Sequence, residues 1–271
     1  MRGWSSGQAR VKAMETEGLQ PTTIRTRYGN VRNVIRAAVR DRFMPRDITQ
    51  AVRLPRTRKA AAAMTIPTAE EVGAAMRAAE DGFAAFIAVC ALAGLRRGEA
   101  SALRVSDVEF LRKEIRVSRQ VQWTDDGRME LYPPKYGSER TVYIPDQLVT
   151  ILAEHVRLYR PGDNPDRWLF PGARNAELPA HAATVARYWR SVRDNIGVGY
   201  RWHHLRHFYA SGLIRAGCDV MTVQRALGHS SAAITLTTYS PPVAGRQRPH
   251  PHGCRGSDRG LARICCVPTA Y

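Results

Sequence analysis

The chain has 271 residues, 44% of them hydrophobic, enough to bury a core as one large domain or as two of unequal size. No run of eighteen apolar residues occurs and the first twenty residues lack the apolar centre of a signal peptide, so no membrane association is expected and the expected location is the cytoplasm. A net charge of +17 points to a polyanionic partner, nucleic acid first.

That charge is uneven. Residues 1–59 carry 14 Lys or Arg against four acidic residues, residues 60–240 carry 22 against 19, and residues 241–271 carry five against one. Only Lys12, Lys59, Lys113 and Lys135 are lysines, in a chain with 41 basic residues, so each is worth a reason. The five cysteines are an odd set with no secretory signal, which argues against a disulfide framework. Cys90 and Cys218 sit in or beside apolar helical patterns as core thiols, and Cys254, Cys265 and Cys266 lack zinc-ligand spacing.

From Pro21 to Phe43, Ile24, Tyr28, Val31, Ile35 and Ala38 recur at helical spacing and predict an amphipathic helix with that face packed inward. Arg25, Arg32, Arg36 and Arg40 form an adjoining stripe able to follow phosphates. Residues 44–67 hold three prolines and a basic run and predict a linker, with a domain boundary near residue 60. Thr68-Ala-Glu-Glu71 fits a capping box opening a helix, and a second helix over 82–93 is closed by Gly94. Between Val108 and Ile144 the period becomes strand-like: Glu114 to Val121 alternates, Asp126-Gly127 supplies a hairpin turn, and Thr141 to Ile144 completes one small sheet. Helices are expected at 146–160, 180–195, 203–216, 219–227 and 231–239. Helices, then a small sheet, then helices predict a mainly helical α+β fold.

Trp202-His-His-Leu-Arg-His207 places His203, Arg206 and His207 on one helical face. Histidine exchanges protons near neutral pH, and the planar guanidinium fork suits two phosphate oxygens. Paired histidines at this spacing also suit zinc, but the cation at Arg206 opposes a metal there, and none is expected. Upstream stands Gly94-Leu-Arg-Arg-Gly-Glu99, and downstream Leu227-Gly-His229 and Tyr239. Taken singly these are weak signals.

Taken in order, Gly-Leu-Arg-Arg-Gly-Glu, a lysine in a hairpin, His-x-x-Arg, Leu-Gly-His and a tyrosine ten residues on resemble the tyrosine recombinase (phage integrase) family over residues 20–240. The resemblance implies site-specific recombination by DNA cleavage and rejoining through a 3′-phosphotyrosine. Arg96 and Arg206 would hold the scissile phosphate, His203 would accept the nucleophile's proton, and His229 would hydrogen-bond the phosphate. Tyr239 would attack, Lys135 would protonate the leaving 5′-oxygen, and Glu99 would be the acidic residue that supports the arginine and histidine. It further implies double-stranded DNA as partner, a homotetramer on paired sites, accessory DNA-bending or directionality proteins, and no cofactor. Residues 1–59 would be a partial helical core-DNA-binding domain with its linker, residues 60–240 the catalytic domain, and residues 241–271 an atypical, disordered tail. Type IB topoisomerases share this chemistry, and a DNA-binding remnant of a mobile element is a third reading.

The chemistry stands without the resemblance. In-line attack on a phosphodiester builds charge on the equatorial oxygens, which fixed guanidinium and imidazole groups stabilise. The leaving oxygen needs a proton; lysine can give one up and arginine holds it too firmly.

Overall fold

The structure is a computed structural model that describes residues 7–56, 65–80 and 82–229. The chain divides into two compact units, residues 1–64 and 65–271.

In the first unit, α1 (Gly7–Thr16) packs on α2 (Pro21–Arg40), with Val11 and Met14 meeting Ile24 and Tyr28 in a small core. Pro21 opens α2, where its missing N–H costs nothing. Residues 44–56 do not run on as a linker but fold back onto the helix pair. Val52 and Leu54 pack against its core, the Tyr28 hydroxyl donates to the Thr49 carbonyl at 3.3 Å, and Gln8 pairs reciprocally with the Arg53 backbone at 2.9 and 3.2 Å. Two expectations change here. The inward face of the longer helix is buried only in its first half: Ile24 and Tyr28 are covered, whereas Val31 is 52% exposed. A ten-residue α1 is half the length of α2 and cannot cover the rest. The helix also ends at Arg40, because the chain turns at Asp41 and Arg42, the latter with a left-handed φ of 62°.

The second unit opens with α3 (Ala69–Arg77). Its capping box is formed as the sequence suggests, with Glu71 N–H donating to Thr68 Oγ1 at 3.2 Å and Thr68 N–H to Glu71 Oε2 at 2.7 Å. Helix α4 (Phe83–Leu92) is apolar all round, and nine of its ten residues are buried. It packs against α3 and the later α6 and α8. The short α5 (Arg97–Ser101) follows, then a single 3-10 turn and the strands β1 (Val108–Glu109), β2 (Glu114–Val117), β3 (Gln120–Trp123), β4 (Met129–Tyr132) and β5 (Arg140–Tyr143). Helices α6 (Asp146–Tyr159), α7 (Ala182–Ile196), α8 (Trp202–Arg215) and α9 (Val220–Leu227) complete the described unit.

The strands form two sheets where one was expected. β1-β2-β5 is antiparallel with Ile115 opposite Val142, and β3-β4 is a separate hairpin turning through Gly127 at φ 81°. The alternating run 114–121 therefore breaks at Ser118-Arg119. There the Arg119 guanidinium leaves the strand to grip buried Asp107 through two bonds of 2.7 and 3.2 Å. Aromatic packing fixes the helices around α4: Trp202, the first residue of α8, stacks on Trp189 of α7 with centroids 4.7 Å apart and meets Phe83 and Phe86 edge-on. Cys90 is buried, and Cys218 is half-buried against the core. Among the described residues no helix is long and apolar enough to cross a membrane. The helix expected at 231–239, Tyr239, the tail 241–271 and its three cysteines lie outside the described residues.

Candidate active site

The site is organised around a buried carboxylate. Helix α4 stops at Gly94, whose φ of +65° and approach to Tyr209 admit no side chain; an added Cβ would lie 2.3 Å from the tyrosine ring. The carbonyl of Gly94 accepts from Arg206 Nη1 of α8 at 2.6 Å. Two residues on, Arg96 caps α5: its N–H donates to Glu99 Oε2 at 2.9 Å and its Nη1 to Glu99 Oε1 at 2.7 Å. Arg140, from β5, donates Nη2 to Glu99 Oε2 at 2.8 Å and Nη1 to Oε1 at 3.3 Å, and Arg206 stands 4.0 Å away. The Glu99 side chain is fully buried. Burial opposes its ionisation, but Arg140 above all, with the Arg96 N–H and guanidinium, overrides this and holds its pKa down at about 2.

The same three arginines meet again at the end of α9. Arg140 Nε donates to the Ala226 carbonyl at 2.9 Å, Arg206 Nη2 to the Leu227 carbonyl, and Arg96 Nη2 to the Gly228 carbonyl at 3.1 Å. The last carbonyls of a helix lack intrahelical partners and carry partial negative charge. Here three successive ones are each taken by a guanidinium from a different element. Gly228 turns the chain at φ +59°, and an added Cβ there would lie 2.8 Å from Ser138 Oγ. His229 follows directly, its N–H bonded to the Gln224 carbonyl at 3.1 Å. Burial and the charges of Arg206 and Arg96 push its pKa down to about 4.

A cleft of about 770 Å³ runs over this cluster, and Arg96, Lys135, His203 and Arg206 line it together, with Gln120, Trp123 and Arg201 among its walls. Lys135 is exposed on a 3-10 turn (Lys135–Gly137) between β4 and β5. His203 opens to the cleft from the first turn of α8; partial desolvation and the charges of Arg206 and Arg96 lower its pKa. Buried His207 lies edge-on to it, with ring centroids 4.7 Å apart and a pKa lowered to about 4 by burial and the neighbouring histidines. Among the described residues no group of three His, Cys, Asp or Glu stands where it could hold a metal.

Of the residues singled out in the sequence, Arg96, Glu99, Lys135, His203, Arg206 and His229 thus belong to one neighbourhood, and Tyr239 is outside the described residues. The four arginines of the stripe belong to the first unit. Arg25 donates to the Pro55 carbonyl at 3.1 Å, Arg36 pairs with Asp47 at 3.3 Å, Arg40 pairs with Asp41 at 3.0 Å, and Arg32 is half-buried. Arg140 was not anticipated. Its signal lay in the strand period: it shares a face with Val142 and Ile144, both buried, and a guanidinium on a buried face requires a carboxylate.

The model of the phage integrase family matches residues 67–246. A "Tyrosine recombinase XerC-like" protein of Caldanaerobacter subterraneus subsp. tengcongensis is 30% identical over 167 residues, 54% of this chain and 42% of that one. A "Tyrosine recombinase" of Thermosipho africanus is 32% identical over 145 residues, 53% of this chain and 44% of that one. The chain spans about half the length of the curated relatives it matches. In fold it is similar to the Tn1549 transposon integrase solved with transposon right end DNA, at a TM-score of 0.72 and 19% identity, covering 87% of this chain and 80% of that one. With its family model covering well over half of its length, this chain belongs to the phage integrase family.

Proposed function

We propose that this chain is a site-specific recombinase that cuts and rejoins double-stranded DNA through a phosphotyrosine on Tyr239. The observation that carries the reading is the shared cleft: Arg96, Arg206, Lys135 and His203 face one space, above a carboxylate that holds the arginines in place. Two guanidiniums bind the non-bridging oxygens of the scissile phosphate and stabilise the charge that builds there during in-line attack. Partial desolvation, reinforced by the charges of Arg206 and Arg96, lowers the pKa of His203 and favours its neutral form, which can take the tyrosine's proton. His229 donates to a phosphate oxygen, and Lys135 protonates the departing 5′-oxygen. The covalent intermediate conserves the phosphodiester's energy, so rejoining needs no nucleotide. The match of the family model extends to residue 246 and so takes in Tyr239. The names carried by the relatives favour recombination over topoisomerase activity.

The wider assembly belongs to the same proposal. Residues 1–59 act as a partial DNA-clamping domain, with Arg25, Arg32, Arg36 and Arg40 against the backbone. Four copies join two DNA sites in the cytoplasm, with accessory DNA-bending or directionality proteins. The reading is tested with a nicked suicide substrate resolved on a denaturing gel. The unaltered chain should form a covalent adduct, and Tyr239→Phe should bind DNA nearly as well and form none, since only a hydroxyl is removed. A persistent adduct in the Phe variant would assign the nucleophile elsewhere.

A further inference from the structure

Arg140 has no part in the roles just given, yet its side chain joins several pieces of the cluster. Its side chain is 7% exposed. One edge of its guanidinium grips both oxygens of Glu99 in α5, and its Nε holds the Ala226 carbonyl at the end of α9. It stands at the first residue of β5, five residues beyond Lys135, with a weaker bond of 3.4 Å to the Ser138 carbonyl of the intervening turn. Three elements that carry proposed catalytic groups therefore meet at one fork: α5 with Arg96, the turn with Lys135, and the end of α9 with His229.

We infer that Arg140 is a positioning residue, which sets Glu99 and the end of α9 so that Arg96 and Arg206 present a fixed pair of forks to the phosphate. This rests on the function proposed above. The physical reason is competition for the carboxylate. Glu99 is dry, and without Arg140 it loses its strongest cation, so a proton becomes the cheaper neutraliser. A protonated Glu99 no longer pulls Arg96 into its capping geometry. The Ala226 carbonyl, also deprived of its donor, no longer sets the pitch at which Leu227 and Gly228 meet Arg206 and Arg96.

Two variants of the full chain test this, Arg140→Met and Arg140→Lys, the latter keeping the charge without the fork. Single-turnover cleavage of the suicide substrate at saturating DNA should fall about tenfold or more in both, as expected when a preorganised donor pair is loosened, while DNA affinity stays within about threefold. A role confined to stability would lower both in proportion to the unfolded fraction. Alongside, the Glu99 carboxyl is titrated by carbon NMR without DNA, its resonance assigned with Glu99→Gln. It should titrate near 2 in the parent and at 4.5 or above in Arg140→Met. In Arg140→Met, cleavage should also acquire a new dependence on pH, rising as Glu99 ionises. Unslowed cleavage in a folded variant, or an unmoved Glu99 titration, overturns the inference. If the parent itself forms no adduct, the recombinase reading fails, and the titration still decides whether Arg140 sets Glu99. If Arg140→Met does not fold, Arg140→Lys decides: slower cleavage at unchanged affinity supports the role, and parental cleavage ends it.

Discussion

At the scale of the residue, Lys135 is the sharpest case. It is one of four lysines among 41 basic residues, and it reaches the cleft from a turn rather than from a packed helix. If it supplies the proton to the leaving oxygen, Lys135→Ala should slow cleavage of an ordinary phosphodiester by about a hundredfold or more. A 5′-bridging phosphorothiolate, whose sulfur leaves unprotonated, should be cleaved at nearly the parental rate. Equal slowing of both substrates would remove Lys135 from that role. Among the described residues, six of the seven proposed for the site were singled out from the sequence, because their chemistry restricts the choice of side chain and because their motifs fall near helix starts and ends or in a turn. Arg140 was not, since a lone arginine in a short strand looks like any solvated residue until the burial of Val142 and Ile144 is known.

At the scale of the element, the sequence pattern named α3, α4 and α6 to α9 of the second unit but not the short α5, and Thr68, Glu71 and Gly94 marked ends through local bonding and glycine's freedom alone. The two sheets were illegible for a tertiary reason. Nothing within Glu114–Val121 announces that Arg119 will abandon the strand for Asp107, a carboxylate twelve residues earlier. Helix α1 was missed because only Val11 and Met14 of its ten residues are buried, too few to mark a stripe. The same lack of cover leaves α2 half-clad, which gives a direct contrast. Ile24→Ala, at a fully buried position, should cost about 2–4 kcal/mol of stability of the first unit, whereas Val34→Thr, 70% exposed, should stay within about 0.5 kcal/mol. Denaturant melts of the full chain, followed by a probe in the first unit, would show it. A comparable loss at Val34 would mean that its face is covered in solution.

At the scale of the whole molecule, the histidines make the protein sensitive to acid. His207 and His229 have pKa values near 4 in the folded chain, against 6.5 when free. Between pH 6.5 and 4 the unfolded chain therefore binds protons that the folded chain refuses, so stability present above 6.5 is lost as pH falls through that window. Glu99 extends the loss below 4.5. The melting temperature should accordingly drop from pH 7.5 to pH 5, and a melting temperature that holds or rises would mean these groups are not withheld from protons. One more consequence follows from α4, which has no face left for solvent. Its apolar surface is finished only when α8 arrives, roughly a hundred residues later, a wait on the order of ten seconds at the pace of synthesis. For that interval α3, and later α6, can cover only part of the apolar decamer, and the side awaiting α8 stays open to whatever else the newborn chain meets.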